Sequence, residues 1–321
     1  MRLFSLPATA LAWLGRHGAR AVAVSIFLGL ALPQLAATFK PFVPEAIFVL
    51  LVLAFLRVEP LALRGYFTRP GLIGLATLWI MVVSPAVLGA LFVTLGIRES
   101  SPALFLALIL QATAAPIMSA PAFAALMGLD AALSLATLLA CMAITPFTAP
   151  AFAHLFAGAA FAMSPLALGL KLLGLLAGSA ALAWTIRRIA GGEWVAGQKQ
   201  RIDGLNVITL FVFAVAVMDG VAATFLARPL FVLGLGLLTF TIALGSMVLT
   251  AIVFMKSGRV RAAAIGWSAA NRNMGLMLAA MGGVLPDLAW LYMGLAQFPI
   301  YLLPLMLQRL ARRFAVPEGN S

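Results

Sequence analysis

The sequence predicts an all-α integral membrane protein with ten transmembrane helices in two inverted repeats of five, of which helices 4 and 9 are broken and cross. Composition predicts the membrane: 64% of the 321 residues are hydrophobic, 9% are charged, and the mean hydropathy is +1.11. About a quarter of a soluble domain is charged, so this composition excludes a soluble protein. The distribution of Lys and Arg and two interrupted apolar runs predict the arrangement.

Apolar runs bounded by charge, proline or glycine define the predicted helices. Each run is close to the roughly 20 residues that a spanning helix needs. Helices are expected because the residue alternation typical of membrane barrels is absent. The predicted spans are 19–38, 43–57, 72–96, 101–128, 130–157, 164–188, 203–226, 230–254, 258–283 and 287–310.

Lys and Arg residues are concentrated in alternate loops. With the N-terminus inside, sixteen of the 21 fall in cytoplasmic segments, three in external loops, and two, Lys171 and Arg272, within spans. Cytoplasmic loops of membrane proteins carry such an excess. The pattern predicts a multi-pass protein of a cell membrane, the inner membrane in a bacterium, with both termini cytoplasmic. It also accounts for the net charge of +12 without a nucleic-acid partner.

The longest polar stretch divides the predicted spans. Residues 191–202 are expected to form a cytoplasmic loop, 1–190 to hold the first repeat (spans 1–5) plus span 6, and 203–321 to hold the remaining spans 7–10. Five spans in each repeat place the two repeats in opposite orientations, as in inverted-repeat transporters. The layout therefore favours a secondary transporter.

Span 4 is predicted to be broken near its middle. Pro116 and Pro121 lie on either side of Ser119 in this span. A proline inside a helix removes one backbone hydrogen bond and clashes with the carbonyl four residues earlier. Ser119 is accordingly a candidate binding residue, and the two prolines are candidate helix-breaking residues.

Span 9 occupies the corresponding position in the second repeat and carries Asn271-Arg272-Asn273, followed by Gly275. A charge at the centre of a spanning helix costs roughly 3 kcal/mol, so it normally faces protein or a water-filled cavity. Interrupted segments at corresponding positions of two repeats indicate a transporter's binding site. The three polar residues are therefore candidate binding residues and Gly275 a candidate helix-breaking residue. The alternative for Arg272 is burial among backbone carbonyls for packing.

The same stretch resembles the bile acid:sodium symporter family. Asn273-Met274-Gly275-Leu276 after Asn271-Arg272 is similar to the family's ninth-helix motif, and Ser119–Gly128, Ala132-Leu133-Ser134 and Thr145-Pro146 with Pro150 are similar to its helices four and five. The resemblance implies a core of spans 3–5 and 8–10, a panel of spans 1, 2, 6 and 7, and transport of a small organic anion bound between them by alternating access.

The resemblance also identifies where the family's sodium ligands would fall. The family's ninth-helix glutamate position is Ser268 here, its glutamine position is Arg272, and its helix-four serine–asparagine pair is Ser119-Ala120. Ser268 thereby becomes a candidate binding residue. Sodium prefers hard oxygen ligands with negative charge, and a guanidinium repels a cation. We therefore expect sodium coupling to be weakened or lost, with Arg272 acting as a tethered substitute for the cation.

Asp219 is the only acid well inside a predicted span. It lies at a height similar to Arg272 in a span of the same direction, so it is a candidate partner of Arg272 and a candidate binding residue. The alternative is a solvated position near the outer interface. Lys171 and His154 are expected to reach the outer interface with their polar ends.

No enzymatic or metal-binding pattern accompanies these features. Cys141 is a single cysteine in an apolar run, and His17 and His154 are far apart in sequence. The sequence predicts no cofactor, no metal and no catalytic set. A proton- or sodium-coupled antiporter of the same crossed-helix architecture is the main alternative, and a membrane-embedded enzyme is a more remote one.

Overall fold

The computed structural model describes residues 24–58, 69–158, 161 and 163–315. The regular secondary structure of these residues is helical. These residues contain no β-sheet, although Pro116 and Arg272 form an isolated antiparallel bridge. Six helices are long and apolar enough to cross a membrane. The structure thus agrees with composition that this is a multi-pass membrane protein.

Thirteen principal helices follow one another along the described residues. They are α1 (Pro33–Arg57), α2 (Pro70–Thr94), α3 (Pro102–Thr113), α4 (Ala120–Leu126), α5 (Ala131–Ala157), α6 (Pro165–Ala190), α7 (Lys199–Ala216), α8 (Val221–Ala227), α9 (Pro229–Val253), α10 (Arg259–Ala270), α11 (Met274–Met281), α12 (Asp287–Leu295) and α13 (Gln297–Ala315). Residues 24–31 are also helical, and single helical turns occur at Ile97–Ser100, Gly192–Gly197 and Met255–Ser257.

Two predicted boundaries differ from the observed ones. The helix over 24–31 ends at Leu32, and α1 begins at Pro33, whereas the sequence predicted spans at 19–38 and 43–57. Leu32 has φ −122° and ψ 69°, because the ring of a proline disfavours the α conformation in the residue before it. Residues 1–23, which include His17 and the first five residues of the first predicted span, lie outside the described residues.

The predicted loop at 191–202 is largely helical. Gly191, with φ 89°, ends α6, and Gly192–Gly197 then forms one short helix before α7 begins at Lys199. A polar, charged sequence favours solvent exposure but does not exclude helical turns. The sequence prediction took polarity as a sign of a non-helical loop.

Three long apolar segments are interrupted. Those separating α3 from α4 and α10 from α11 were predicted. A third interruption, at 217–220 between α7 and α8, was not predicted; there Gly220 adopts φ +78°, a conformation that strains other residues. Six helices are long and apolar enough to span a membrane where ten spans were predicted; α3, α4, α10 and α11 are each shorter than a spanning helix.

The helices pack into two groups. In the first group, α6 and α7 both pack along α1. In the second group, α5 packs against α2, α3 and α10, while α9 packs along α10 and α12 packs against α3. The groups meet through α5 with α6, α1 with α11, and α6 with α11. Helix α11 therefore lies against α1 and α6 of the first group, whereas α3 and α10 pack against α5 of the second.

Candidate functional site

The two predicted interruptions meet. Helix α3 ends at Thr113, and Ala114 is extended with ψ 146°; α10 ends at Ala270, and Asn271 is extended with ψ 91°. Their backbones then pair: Ile117 N–H donates to the Asn271 carbonyl at 2.7 Å, and Asn273 N–H donates to the Ala115 carbonyl at 2.8 Å. Backbone groups that leave a helix inside apolar surroundings need such partners, and each segment supplies them to the other.

Asparagine side chains stabilise the second interruption. The Asn273 Oδ1 accepts from Leu276 N–H at 3.0 Å and so caps α11, while Asn271 Nδ2 donates to the Trp267 carbonyl at 2.9 Å. Short amide side chains compete with helical backbone bonds in this way and are favoured at helix N-caps. Asn271 Oδ1 is buried and has no hydrogen-bond partner among the described residues.

The Arg272 guanidinium is buried at the centre of this pairing, with 3% of the residue exposed. Its Nε donates to the Ala269 carbonyl at 2.7 Å, and one terminal nitrogen donates to the carbonyls of Ile80 and Ala114, both at 3.0 Å. The other terminal nitrogen lies 3.4 Å from Ser84 Oγ. The side chain thus joins α2, the end of α3 and the end of α10 through one planar fork.

The Ile80 carbonyl is free to accept from Arg272 because of a π turn over Trp79–Val83 in α2. Ser84 N–H, which would bond Ile80 in an α-helix, bonds the Trp79 carbonyl instead. In the wider π register the donor for Ile80 would be residue 85, which is a proline and has no N–H. The helix therefore leaves one carbonyl unpaired at the position that the guanidinium reaches.

The electrostatic surroundings of Arg272 are negative without containing an acid. The C-terminal ends of α3 and α10 both point at the guanidinium, and helix C-termini carry about half a negative charge each. Within the described residues Arg272 forms no salt bridge. The arrangement matches the alternative stated above, an arginine among backbone carbonyls. In this conformation four of its five N–H groups donate hydrogen bonds to other groups of the protein.

Ser268 lies one helical turn before Arg272 and is fully buried. Its hydroxyl is 2.9 Å from that of Ser134 in α5 and donates to the Ala264 carbonyl at 3.0 Å. The pair of hydroxyls links α10 to α5. Ser119 is half-buried at the start of α4, where its backbone carbonyl accepts from Phe123 N–H, and its side chain does not cap the helix.

Asp219 does not meet Arg272. Its carboxylate accepts from Lys40 Nζ at 2.9 Å, and 22% of its side chain is exposed. The unpredicted interruption between α7 and α8 carries Asp219 out of regular helix, so its position could not be obtained from a straight rise per residue. Asp219 is thus partly exposed and paired with Lys40.

Two of the three predicted helix-breaking residues have other roles. Pro116 lies within the first interruption, whereas Pro121 is in the first turn of α4, where a proline is tolerated. Gly275 is in the first turn of α11, after the interruption. A Cβ on Gly275 would collide with Cδ1 of Ile47 in α1 and lie 3.1 Å from Phe213 in α7. Gly275 is therefore a point of close approach between the two helix groups.

This approach yields a paired prediction. We expect Gly275→Ala to lower stability, because the added methyl group needs the Ile47 Cδ1 atom to move. Ile47→Val removes that atom, so the double variant should recover most of the loss. Thermal denaturation of the purified single and double variants measures the coupling; strictly additive effects would contradict a direct contact.

Sequence reasoning missed several residues of the site. Ser84 and the Ile80 carbonyl were not predicted, although Pro85 was a visible signal for a local break in α2. Ser134 was noted only within a motif. Lys40 and Trp290, whose ring centroid lies 4.6 Å from Lys40 Nζ, gave no signal because exposed and interfacial residues of these types are common. Lys171 and His154 are exposed.

Comparison of the chain with protein-family models and with curated proteins gives no match. The resemblance described in the sequence analysis accordingly depends on its motif residues alone.

Proposed function

We propose that the protein is a secondary transporter that moves a small organic anion across a cell membrane by alternating access, without a sodium ion at the crossing. The observation that supports this proposal most strongly is the pairing of two interrupted helices around a buried guanidinium. Interrupted, paired segments inside a membrane protein are tolerated where they are enclosed by protein or line a cavity, and transporters use them as binding sites.

The proposal includes ten spans in two inverted repeats. The interruptions α3–α4 and α10–α11 then form spans 4 and 9, and α12 with α13 forms span 10. The first helix group, α1, α6 and α7, corresponds to the panel, and the second to the core. Reporter fusions test this layout: a fusion after Gly319 should report a cytoplasmic C-terminus, and an external signal would contradict an even number of spans.

Arg272 has two roles in this proposal. The guanidinium holds three carbonyls that a bound cation would otherwise hold, which makes the crossing independent of sodium. Its charge, which no acid of the described residues neutralises, also raises the positive potential near the start of α11. Ile47 and Phe213 of the panel pack against Gly275 in this conformation, so an anion reaches the start of α11 only when panel and core separate.

A coupled antiporter is supported less well. Such a carrier needs an acid at the crossing to bind and release its ion. The two acids closest to being candidates are engaged elsewhere, Asp219 with Lys40 at 2.9 Å and Asp130 with Arg261 at 4.0 Å. In the described part of the chain, the crossing itself holds hydroxyls, amides and the guanidinium.

A thermal-stability screen of the purified protein tests the function. Organic anions, from bile-acid-like compounds to short carboxylates, are added with either sodium or potassium as the cation. A ligand that binds the folded state raises its stability with concentration. We expect stabilisation by an anion that is equal in the two salts, followed by uptake of that anion into proteoliposomes. Stabilisation only in sodium, or only by cations, would contradict the proposal.

A further inference from the structure

Three side chains from distant parts of the sequence meet at one place. Lys40 Nζ donates to Asp219 Oδ2 at 2.9 Å and lies 4.6 Å from the centroid of the Trp290 ring. Lys40 belongs to α1 and Asp219 to the interruption between α7 and α8, both in the panel. Trp290 belongs to α12 in the core. The ammonium group therefore has one partner in each helix group.

The three residues lie toward the outer side in the proposed orientation. Lys40 is 17 residues from Arg57 at the inner end of α1, a rise of roughly 25 Å. Helix α7 rises over the 17 residues from Lys199 at its inner end to Ala216, roughly 25 Å, and Asp219 lies in the interruption that follows. Trp290 follows closely after Asp287, where α12 starts from the outer side.

Other contacts between panel and core lie at the same level. Gly294 is one turn from Trp290 on the same face of α12, and a Cβ added there would be 2.7 Å from the Val217 carbonyl and 3.3 Å from Val221. Near the outer end of α11, a Cβ on Gly282 would be 3.4 Å from Lys171 of α6. The backbones of the two groups are thus in contact on the outer side.

Two ion pairs near the inner side join helices within one group. Arg57 pairs with Asp203 at 2.7 Å, which links α1 to α7 inside the panel. Arg261 lies 4.0 Å from Asp130, which links α10 to the start of α5 inside the core. Neither contact would be broken by a movement of the panel relative to the core, whereas the contact of Lys40 with Trp290 would be.

We propose that Lys40, Asp219 and Trp290 form an outer latch that holds panel and core together on the outer side and opens each time the carrier faces outward. The inference depends on the alternating access proposed above. Asp219 stays with Lys40 when Trp290 leaves, so opening leaves no charge unpaired. A cation–π contact with a partly exposed ammonium is weak enough to be broken repeatedly.

The latch is tested with a thiol reporter that needs no substrate. Val221→Cys, in a Cys141→Ala background, places a thiol at a residue that is 2% exposed and faces Gly294. A membrane-impermeant maleimide is applied to intact cells, from the outer side. The labelling rate then follows the fraction of outward-open carrier when opening and closing are fast.

Trp290→Leu keeps the ion pair and removes the aromatic face, and Lys40→Met removes the cation. We expect each to raise the labelling rate about tenfold, which corresponds to about 1.4 kcal/mol in the equilibrium between closed and open states. Trp290→Phe should give an intermediate rate, because a phenyl ring binds cations less strongly than an indole. Arg57→Met, which removes the panel's inner ion pair, is the matched control and should leave the rate unchanged.

A second reporter separates opening from loosening of the fold. Native Cys141, which is fully buried in α5, should remain unlabelled when the latch variants are made without Val221→Cys. Unchanged labelling of Val221→Cys in Trp290→Leu and Lys40→Met, or simultaneous labelling of Cys141, overturns the latch. Because no substrate is needed, these results are independent of the anion screen: failure of that screen overturns the transport function whatever the labelling shows.

Discussion

Replacing Arg272 by glutamine should lower the stability of the folded protein by about 2–4 kcal/mol, because carbonyls of Ile80, Ala114 and Ala269 lose donors in a buried place. A glutamine amide has two N–H groups and cannot reach all three carbonyls. The same variant should lose anion binding, since the positive potential at the start of α11 disappears. Thermal denaturation and the anion screen measure the two effects separately.

Lysine at position 272 should rescue this loss only in part. An ammonium restores the charge, but it lacks the planar fork that reaches α2, α3 and α10 at once. Arg261→Gln provides the matched control, because Arg261 is on α10 too but 38% of its side chain is exposed and its nearest acid is 4.0 Å away. Its effect should stay within about 0.5 kcal/mol. Equal losses in the two glutamine variants would contradict the bridging role of Arg272.

Introducing the residues of the symporter family that the sequence resembles should make the protein sensitive to sodium. The variant Ser268→Glu with Arg272→Gln and Ala120→Asn replaces the fixed cation by an acid and two amides, all at the crossing. We expect sodium, but not potassium, to stabilise this variant by about 1.4 kcal/mol at a concentration ten times the dissociation constant. The unmutated protein should show no difference between the two salts.

The control for this prediction keeps the shape and removes the charge. Ser268→Gln with the same two other substitutions offers oxygen ligands without the carboxylate, so sodium should stabilise it much less. Ser268→Glu alone should remain insensitive, because Arg272 would then be the partner of the new acid. Sodium stabilisation of the unmutated protein would contradict the idea that the guanidinium replaces the cation.

The interruptions of the two apolar segments could be predicted because their causes are local. Pro116 cannot donate a backbone hydrogen bond, and Asn273 caps the helix that follows it. The observed ends of α3 and α10 each lie three residues before these residues. Composition likewise predicted a multi-pass helical membrane protein, because the requirement for apolar length is a property of the chain alone.

Partners across the fold could not be predicted in the same way. Asp219 was one candidate partner of Arg272, and the guanidinium instead contacts Ile80, almost two hundred residues earlier. A rise per residue gives heights only for an uninterrupted helix, and the turn at Gly220 removes that condition for Asp219. Gly275 was interpreted as a helix breaker because its second use, admitting Ile47 and Phe213, depends on helices that are remote in sequence.

The π turn in α2 makes the number of residues in this helix important. Five residues, Trp79–Val83, occupy a turn wider than an α-helix, so deleting one of them would let the helix close into regular α geometry. The π turn takes up one residue more than an α turn, so the residues after such a deletion would keep the faces that they have now. A deletion earlier in α2 has no wide turn to take it up and would rotate the following residues, Ser84 among them, by about 100° about the helix axis, since one α turn takes 3.6 residues. The length of this segment, as much as the identity of its residues, therefore decides which groups of α2 face Arg272.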